Sequence, residues 1–98
     1  MTIEKKINGE ALTLIVSGRL DTQTAPELEN ELDSVLSGLK ELTFDFANLE
    51  YVSSAGLRVL LQAQKIMNKH GEMIIKNVNE TINEIFEVTG FIDILTIE

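Results

Sequence analysis

Two adjacent serines, Ser53 and Ser54, lie where a predicted strand gives way to a predicted helix. The first turn of a helix exposes unpaired backbone N–H groups and the positive end of the helix dipole, where an added phosphate or carboxylate is well tolerated. Either serine is suited to cap this helix, and Ala55 and Gly56 leave the hydroxyls open to approach. The pattern therefore indicates either ordinary capping or a hydroxyl that an outside group can modify.

The residues around these serines resemble a known family signature. The stretch Tyr51-Val52-Ser53-Ser54-Ala55-Gly56-Leu57-Arg58-Val59-Leu60-Leu61 resembles the signature of the STAS-domain anti-sigma factor antagonists, and so does Ser17-Gly18-Arg19-Leu20-Asp21 upstream. The resemblance covers essentially the whole chain. In that family the serine two residues before the glycine is phosphorylated, and here it is Ser54. Most members place an aspartate immediately before that serine, whereas this sequence has Ser53.

The resemblance implies a regulatory protein that is itself a substrate. Relatives bind an anti-sigma factor that is also a serine kinase of the GHKL ATPase class. Phosphorylation of the serine releases them, and a PP2C-type phosphatase resets them. The implied partner-binding residues come from the loop after the second strand and from the serine turn: Asp21, Thr22, Ser53, Ser54, Gly56, Leu57 and Arg58.

The composition limits the classes of partner and chemistry. The chain has 98 residues, a net charge of −8 and no cysteine, which predicts one domain over residues 1–98 and argues against nucleic acid or an anionic membrane as the main partner. No phosphate-binding loop or dinucleotide fingerprint occurs, and we expect no catalytic residue, metal site or cofactor. Without a signal-peptide pattern or a run of about 20 apolar residues, we expect a cytoplasmic protein. We also expect it to be a monomer.

The hydrophobic pattern predicts an α/β fold. A mixed five-stranded sheet is expected, in element order ββαβαβαβ and strand order 1-2-3-4-5, with the helices packed on one face. The predicted strands cover residues 3–7, 11–16, 42–46, 73–75 and 91–97, with the last as a short edge strand. Asn8 and Gly9 predict a type I′ hairpin turn. Taken with the motif resemblance, this layout implies a single STAS-like domain.

The predicted helix ends rest on local signals. Thr24 and Glu27 have the spacing of a capping box before a helix that runs to about Leu36 and is closed by Gly38. The second helix is expected to run from the serines to His70 and Gly71, with the glycine as a left-handed cap. Asn79 or Thr81 is expected to cap the last helix and Gly90 to stop it.

Several side chains allow more than one interpretation. Asp21 and Thr22 stabilise a turn or contact a partner. Asp45 faces the uncovered side of the sheet or lies beside the serine turn. The second helix has a narrow polar stripe that is either solvated or part of a docking surface, and it comprises Arg58, Gln62, Lys65 and Lys69.

Two other functions are consistent with the sequence. A non-switching STAS scaffold, for example a subunit of a lipid-transport complex, would use the same loop to bind a partner constitutively. A small nucleotide-binding protein would use the acidic loops, although it lacks a phosphate cradle.

Overall fold

The computed structural model describes residues 1–98, which form five β-strands and three α-helices. In chain order these are β1 (Thr2–Asn8), β2 (Ala11–Leu20), α1 (Ala25–Asp33), β3 (Glu41–Asp45), β4 (Leu49–Val52), α2 (Ser54–Met67), β5 (Glu72–Lys76) and α3 (Glu80–Thr89). Two short 3₁₀ turns, Leu36–Gly38 and Phe91–Asp93, follow α1 and α3.

The five strands form a mixed sheet in which β1 is an edge strand. Four strands lie in the order β1-β2-β3-β5, and β4 pairs with the C-terminal end of β2. The β1–β2 pair is antiparallel, whereas β2–β3, β2–β4 and β3–β5 are parallel. The predicted mixed five-stranded sheet is therefore confirmed.

The identity of the fifth strand differs from the prediction. The observed element order is ββαββαβα, because Leu49–Val52 forms β4 and residues 91–97 form no strand. After Gly90, which has a left-handed φ of 81°, the chain enters a 3₁₀ turn, and only Ile97 makes an isolated bridge, to Ile75. Packing explains the difference, since the segment first buries Leu95 in the core, and only its last residues reach β5. There the N–H of Ile75 donates to the carbonyl oxygen of Thr96, and the N–H of Glu98 donates to that of Ile75, both at 2.9 Å.

The β1–β2 hairpin turns one residue later than predicted. Asn8 pairs with Ala11, so the two-residue loop is Gly9 and Glu10. Only Gly9 has a positive φ, of 64°, as expected for a type II′ turn and not for the predicted type I′ turn, which needs positive φ at both loop residues.

All three helices cover the same face of the sheet, as predicted. Along β2 the side chains of Leu12, Leu14 and Val16 are buried, while those of Thr13 and Ile15 on the opposite face are half-buried. The buried face belongs to one core cluster of 24 residues that includes side chains from every helix.

Helix α1 is shorter than predicted. It ends at Asp33, and Leu36–Gly38 forms a separate 3₁₀ turn, so Gly38 does not close the α-helix. Leu36 remains buried, and the change of helix type therefore preserves the apolar stripe while bending the chain toward β3.

Helix α2 packs as its sequence pattern predicts. Leu57, Leu60 and Met67 are buried. The predicted polar stripe is exposed along its whole length, namely Arg58, Gln62, Lys65 and Lys69.

The end of α2 corrects the predicted left-handed cap. The helix stops at Met67, and Gly71 has no positive φ. Gly71 is instead placed where a Cβ atom would collide with the carbonyl oxygen of Lys40. His70 lies at the helix end as predicted, and its Nδ1 lies 2.8 Å from the carbonyl oxygen of Leu39, to which it can donate.

Helix α3 has the predicted caps. Of the two candidates, Asn79 is the N-cap, because its Oδ1 accepts from the N–H of Ile82 at 2.9 Å. Its Nδ2 donates to the carbonyl oxygen of Leu49 at 2.7 Å, which ties α3 to β4. Gly90 ends the helix in the left-handed conformation.

Truncation of Leu60 tests how α2 is oriented. Leu60 is 0% exposed, so Leu60→Ala is expected to lower the free energy of unfolding by about 2–5 kcal/mol. Arg58→Ala, on the exposed stripe, is expected to cost less than about 0.5 kcal/mol. Urea denaturation of both variants measures the difference in the free energy of unfolding. Equal losses would contradict the assignment of Leu60 to the buried face of α2 and Arg58 to the exposed face.

Candidate functional site

The C-terminal ends of β2 and β4 bring two loops together. Arg19 pairs with Tyr51 and Leu20 with Val52 in parallel register, and the N–H of Ser53 donates to the carbonyl oxygen of Leu20 at 2.8 Å. The loop that begins at residue 21 and the serine turn therefore start side by side.

Ser53 is the N-cap of α2. Its backbone is extended, with φ −89° and ψ 175°, and its Oγ accepts from the N–H of Gly56 at 3.3 Å. The structure thus decides which serine caps the helix.

Ser54 is the first residue of α2 and is exposed. Its hydroxyl takes part in none of the side-chain hydrogen bonds of the protein, whereas that of Ser53 does. Because a hydroxyl must be reached from outside to be modified, Ser54 is the better placed of the two serines.

Gly56 is buried against the end of β2. A Cβ atom at this position would lie 2.7 Å from Cγ of Leu20 and 2.9 Å from the carbonyl oxygen of Leu20. Only glycine therefore allows the first turn of α2 to approach the strand this closely.

Asp21 organises the loop between β2 and α1. Its Oδ1 accepts from the N–H groups of Gln23 at 3.0 Å and Thr24 at 3.1 Å, which is the turn-stabilising role considered from the sequence. Thr22, beside it, is exposed. Partial desolvation raises the pKa of Asp21, but the N–H groups of Thr24 and Gln23, the Thr24 hydroxyl and Arg19 outweigh it and hold the pKa below 3.8.

The predicted capping box at Thr24 is wrong. Thr24 occupies the N-cap position of α1, but its side chain makes no capping hydrogen bond. The hydroxyl instead donates to the carbonyl oxygen of Arg19 and accepts from the N–H of Asp21, both at 2.8 Å. Thr24 therefore closes the loop between β2 and α1, and its hydrogen bonds depend on the end of β2, which only the folded chain brings close.

Pro26 lies in the first turn of α1, as expected.

Arg19 and Tyr51 form a contact that the sequence did not predict. The guanidinium of Arg19 lies 4.5 Å from the centroid of the Tyr51 ring, and its Nε is 3.7 Å from Oδ2 of Asp21. Residues 19 and 51 are far apart in the sequence, and only the parallel pairing of β2 with β4 places them together.

A groove of about 330 Å³ opens beside Ser54. It is lined by residues from α2, from the end of α3 and from the 3₁₀ turn after it: Ser54, Leu57, Arg58, Leu61, Thr89 and Phe91. Val88, close by in the sequence, is 86% exposed. The site therefore combines a free hydroxyl, a cation and apolar surface.

Asp45 ends β3 on the sheet face opposite the helices. Its Oδ1 accepts from Nδ2 of Asn77 and from the N–H of Ala47, both at 3.0 Å. The amide of Asn77 lowers the pKa of Asp45 below 3.8, desolvation opposes it, and the N–H of Ala47 and the charges of Lys76 and Lys6 add to the lowering. The sequence had left the position of this carboxylate open.

The structure offers neither a metal-binding cluster nor a membrane-spanning helix. No group of three or more His, Cys, Asp or Glu side chains is placed to hold a metal ion. No α-helix is both long and apolar enough to cross a membrane.

Comparison with known proteins identifies one family. The profile of the STAS domain matches residues 2–98. The chain is 35% identical over 94 residues to BtrV of Bordetella bronchiseptica, named as an anti-sigma factor antagonist, covering 94% of this chain and 80% of the relative. It is 30% identical over 97 residues to the anti-sigma-B factor antagonist of Staphylococcus aureus, covering 97% and 90%.

Solved structures show the same fold. The unphosphorylated form of the anti-sigma factor antagonist SpoIIAA aligns with a TM-score of 0.86 at 15% identity, over 99% of this chain and 88% of that one. The phosphorylated form of SpoIIAA, from Bacillus, aligns with a TM-score of 0.78, also at 15% identity, over 99% and 91%.

Adding a methyl group at Gly56 tests the close approach of α2 to β2. An alanine inside a helix normally stabilises it relative to glycine, but here the Cβ atom overlaps Leu20, so Gly56→Ala is expected to destabilise the fold by about 1–3 kcal/mol. Gly38→Ala is the control, because a Cβ atom there meets nothing within 4 Å. A neutral or stabilising effect of Gly56→Ala in thermal unfolding would contradict the packing.

The acid side of the stability curve tests Asp45. Because its pKa is lowered in the folded state, its contribution to stability is present above about pH 3.8 and is lost as the pH falls through the folded pKa. Asn77→Gly removes the amide and keeps a residue that tolerates φ 61°. NMR titration should then show the pKa of Asp45 rising toward 3.8 while that of Asp21 stays low. An unchanged pKa of Asp45 would exclude Asn77 as the main cause.

Proposed function

Because the chain belongs to the STAS domain family, we propose that it is an anti-sigma factor antagonist controlled by phosphorylation of Ser54. In its unphosphorylated form it binds an anti-sigma factor that is also a serine kinase of the GHKL ATPase class, in the cytoplasm, and the sigma factor is set free. Phosphorylation ends this binding, and a PP2C-type phosphatase restores it. The names of its relatives support the proposal.

The exposed and unengaged hydroxyl of Ser54 is the observation that carries this function. It lies on the first turn of α2, beside the loop that Asp21 organises. In the transfer, Ser54 Oγ bonds to the γ-phosphorus of ATP, the bond from that phosphorus to the bridging oxygen breaks, and ADP leaves. The kinase accepts the hydroxyl proton. The chain is thus a substrate in this reaction and not its catalyst.

The position of Ser54 lets the fold survive the added charge. A phosphate carries about −1.5 to −2 charges at neutral pH, and the start of a helix tolerates negative charge. The consequence appears in the complex, because an unmatched charge buried at an interface costs several kcal/mol. A cost of about 4 kcal/mol corresponds to a loss of about a thousandfold in affinity.

The proposed partner surface divides into contact residues and supporting residues. Thr22, Ser54 and Arg58 are exposed and form the contacts. Gly56 and Leu57 are buried, with only 6% of Leu57 exposed, and they support the turn from the core side. Asp21 and Ser53 use their side chains within their own loops and hold the contact residues in place.

Phosphopeptide mapping tests the assignment of the acceptor. The chain is incubated with the cognate anti-sigma factor kinase and ATP, and tryptic peptides are analysed by mass spectrometry. Wild type should carry the phosphate on Ser54, and Ser54→Ala should fold normally and accept none. Ser53→Ala should lose about 0.5–2 kcal/mol of stability with its cap and still be modified on Ser54. Phosphate on Ser53, or stoichiometric modification of Ser54→Ala, would overturn the assignment.

A charge substitution tests the switch separately from the acceptor. Ser54→Asp should fold, because a carboxylate is compatible with the first turn of a helix. It should bind the anti-sigma factor more weakly than Ser54→Ala, which keeps the surface uncharged. Equal binding of the two variants, measured by calorimetry, would leave the acceptor site in place but remove the electrostatic switch.

A further inference from the structure

Ser54 and Arg58 lie one helical turn apart on α2. Residues at positions i and i+4 of a helix are neighbours on its surface, with Cβ atoms about 5–6 Å apart. Both residues are exposed, and both line the groove of about 330 Å³ beside α3. A group added to the Ser54 hydroxyl therefore enters the space that the Arg58 side chain borders.

Arg58 has no ionic partner in the unmodified protein. The two salt bridges of the structure join Lys5 to Glu31 and Arg19 to Asp21, and the Arg58 guanidinium takes part in no hydrogen bond. Arg19, the other arginine near the serine turn, already stacks on Tyr51 and faces Asp21. Of the two guanidinium groups, that of Arg58 is the one free to receive an anion.

We propose that Arg58 is the residue that receives the phosphate on Ser54, through an ion pair within the first two turns of α2. This inference rests on the proposed phosphorylation of Ser54. The guanidinium donates two parallel N–H groups to phosphate oxygens, a geometry that arginine offers and lysine does not.

The order of the two residues along the helix favours this pair. Side chains on a helix tilt toward its N-terminus, so Arg58 leans back over the turn that contains Ser54. An anion four residues before a cation is also the better of the two possible arrangements.

The ion pair gives phosphorylation a second effect on the partner surface. In the unmodified protein, Arg58 is free to contact a carboxylate of the anti-sigma factor. In the modified protein, the same guanidinium is held by the phosphate of its own helix. One covalent change thus adds an anion to the surface and withdraws a cation from it.

Titration of the phosphate by ³¹P NMR tests the pair without any partner. Phosphoserine is incorporated at position 54 during translation in wild type and in four variants: Arg58→Gln, Arg58→Lys, Arg19→Gln and Lys65→Gln. Because Arg58 favours the dianion, the second pKa of the phosphate should be about 0.15–0.4 unit lower in wild type than in Arg58→Gln at low salt. High salt should shrink this difference, and Arg58→Lys should restore part of it.

Lys65→Gln is the matched control, because it removes one positive charge from the same exposed stripe. It lies 11 residues beyond Ser54, about 16 Å along the helix axis, and should leave the phosphate pKa as in wild type. An equal pKa in wild type and Arg58→Gln would overturn the inference. A shift as large in Arg19→Gln as in Arg58→Gln would overturn it as well, because the phosphate would then have no preferred arginine.

The outcome is independent of whether a kinase acts on Ser54, because the phosphoserine is installed during synthesis. If the kinase adds no phosphate to Ser54 but the phosphate pKa is lower in wild type than in Arg58→Gln, the proposed function is refuted and the ion pair stands. If the kinase modifies Ser54 but the phosphate pKa is the same in wild type and Arg58→Gln, the ion pair is refuted and the proposed function stands.

Discussion

One buried residue, Leu20, fixes the geometry of the serine turn. Its carbonyl oxygen accepts from the N–H of Ser53 at 2.8 Å, and its side chain fills the space that a Cβ atom of Gly56 would need. Since Asp21 follows Leu20 and Ser54 follows Ser53, this single point of contact sets both loops side by side. The strand reaches it through a register shift at Gly18, whose φ of 91° excludes most other residues.

The residues that the sequence identified correctly are those whose signals are local. The spacing of Leu57, Leu60 and Met67 correctly predicted the buried side of α2, because the period of a helix is set by its own backbone and not by the rest of the chain. The mixed sheet with helices on one face was predicted in the same way, from the hydrophobic pattern of the strands and from the order of strands and helices along the chain. At the site, the sequence offered two serines as the cap of α2. The hydrogen bond from the N–H of Gly56 to Oγ of Ser53 identifies Ser53 as the cap.

The residues that the sequence missed depend on contacts between distant segments. Strand β4 has only four residues and is defined by its partner β2, so no local pattern distinguished it from the turn. Thr24 has the spacing of a capping residue, but in the folded chain its hydroxyl donates to the carbonyl oxygen of Arg19 instead of capping α1. Gly71 followed the rule for helix ends, yet its role is to make room for Lys40. In each case a tertiary contact replaced the local preference.

In the proposed switch, a phosphate on Ser54 controls binding without changing the fold. The most direct measurement is the dissociation constant of the cognate anti-sigma factor for the chain carrying serine or phosphoserine at position 54, measured by calorimetry, with the two folds compared by NMR. We expect unchanged amide shifts away from the serine turn, and binding at least about 100-fold weaker for the phosphorylated form. Equal dissociation constants for the two forms would contradict it.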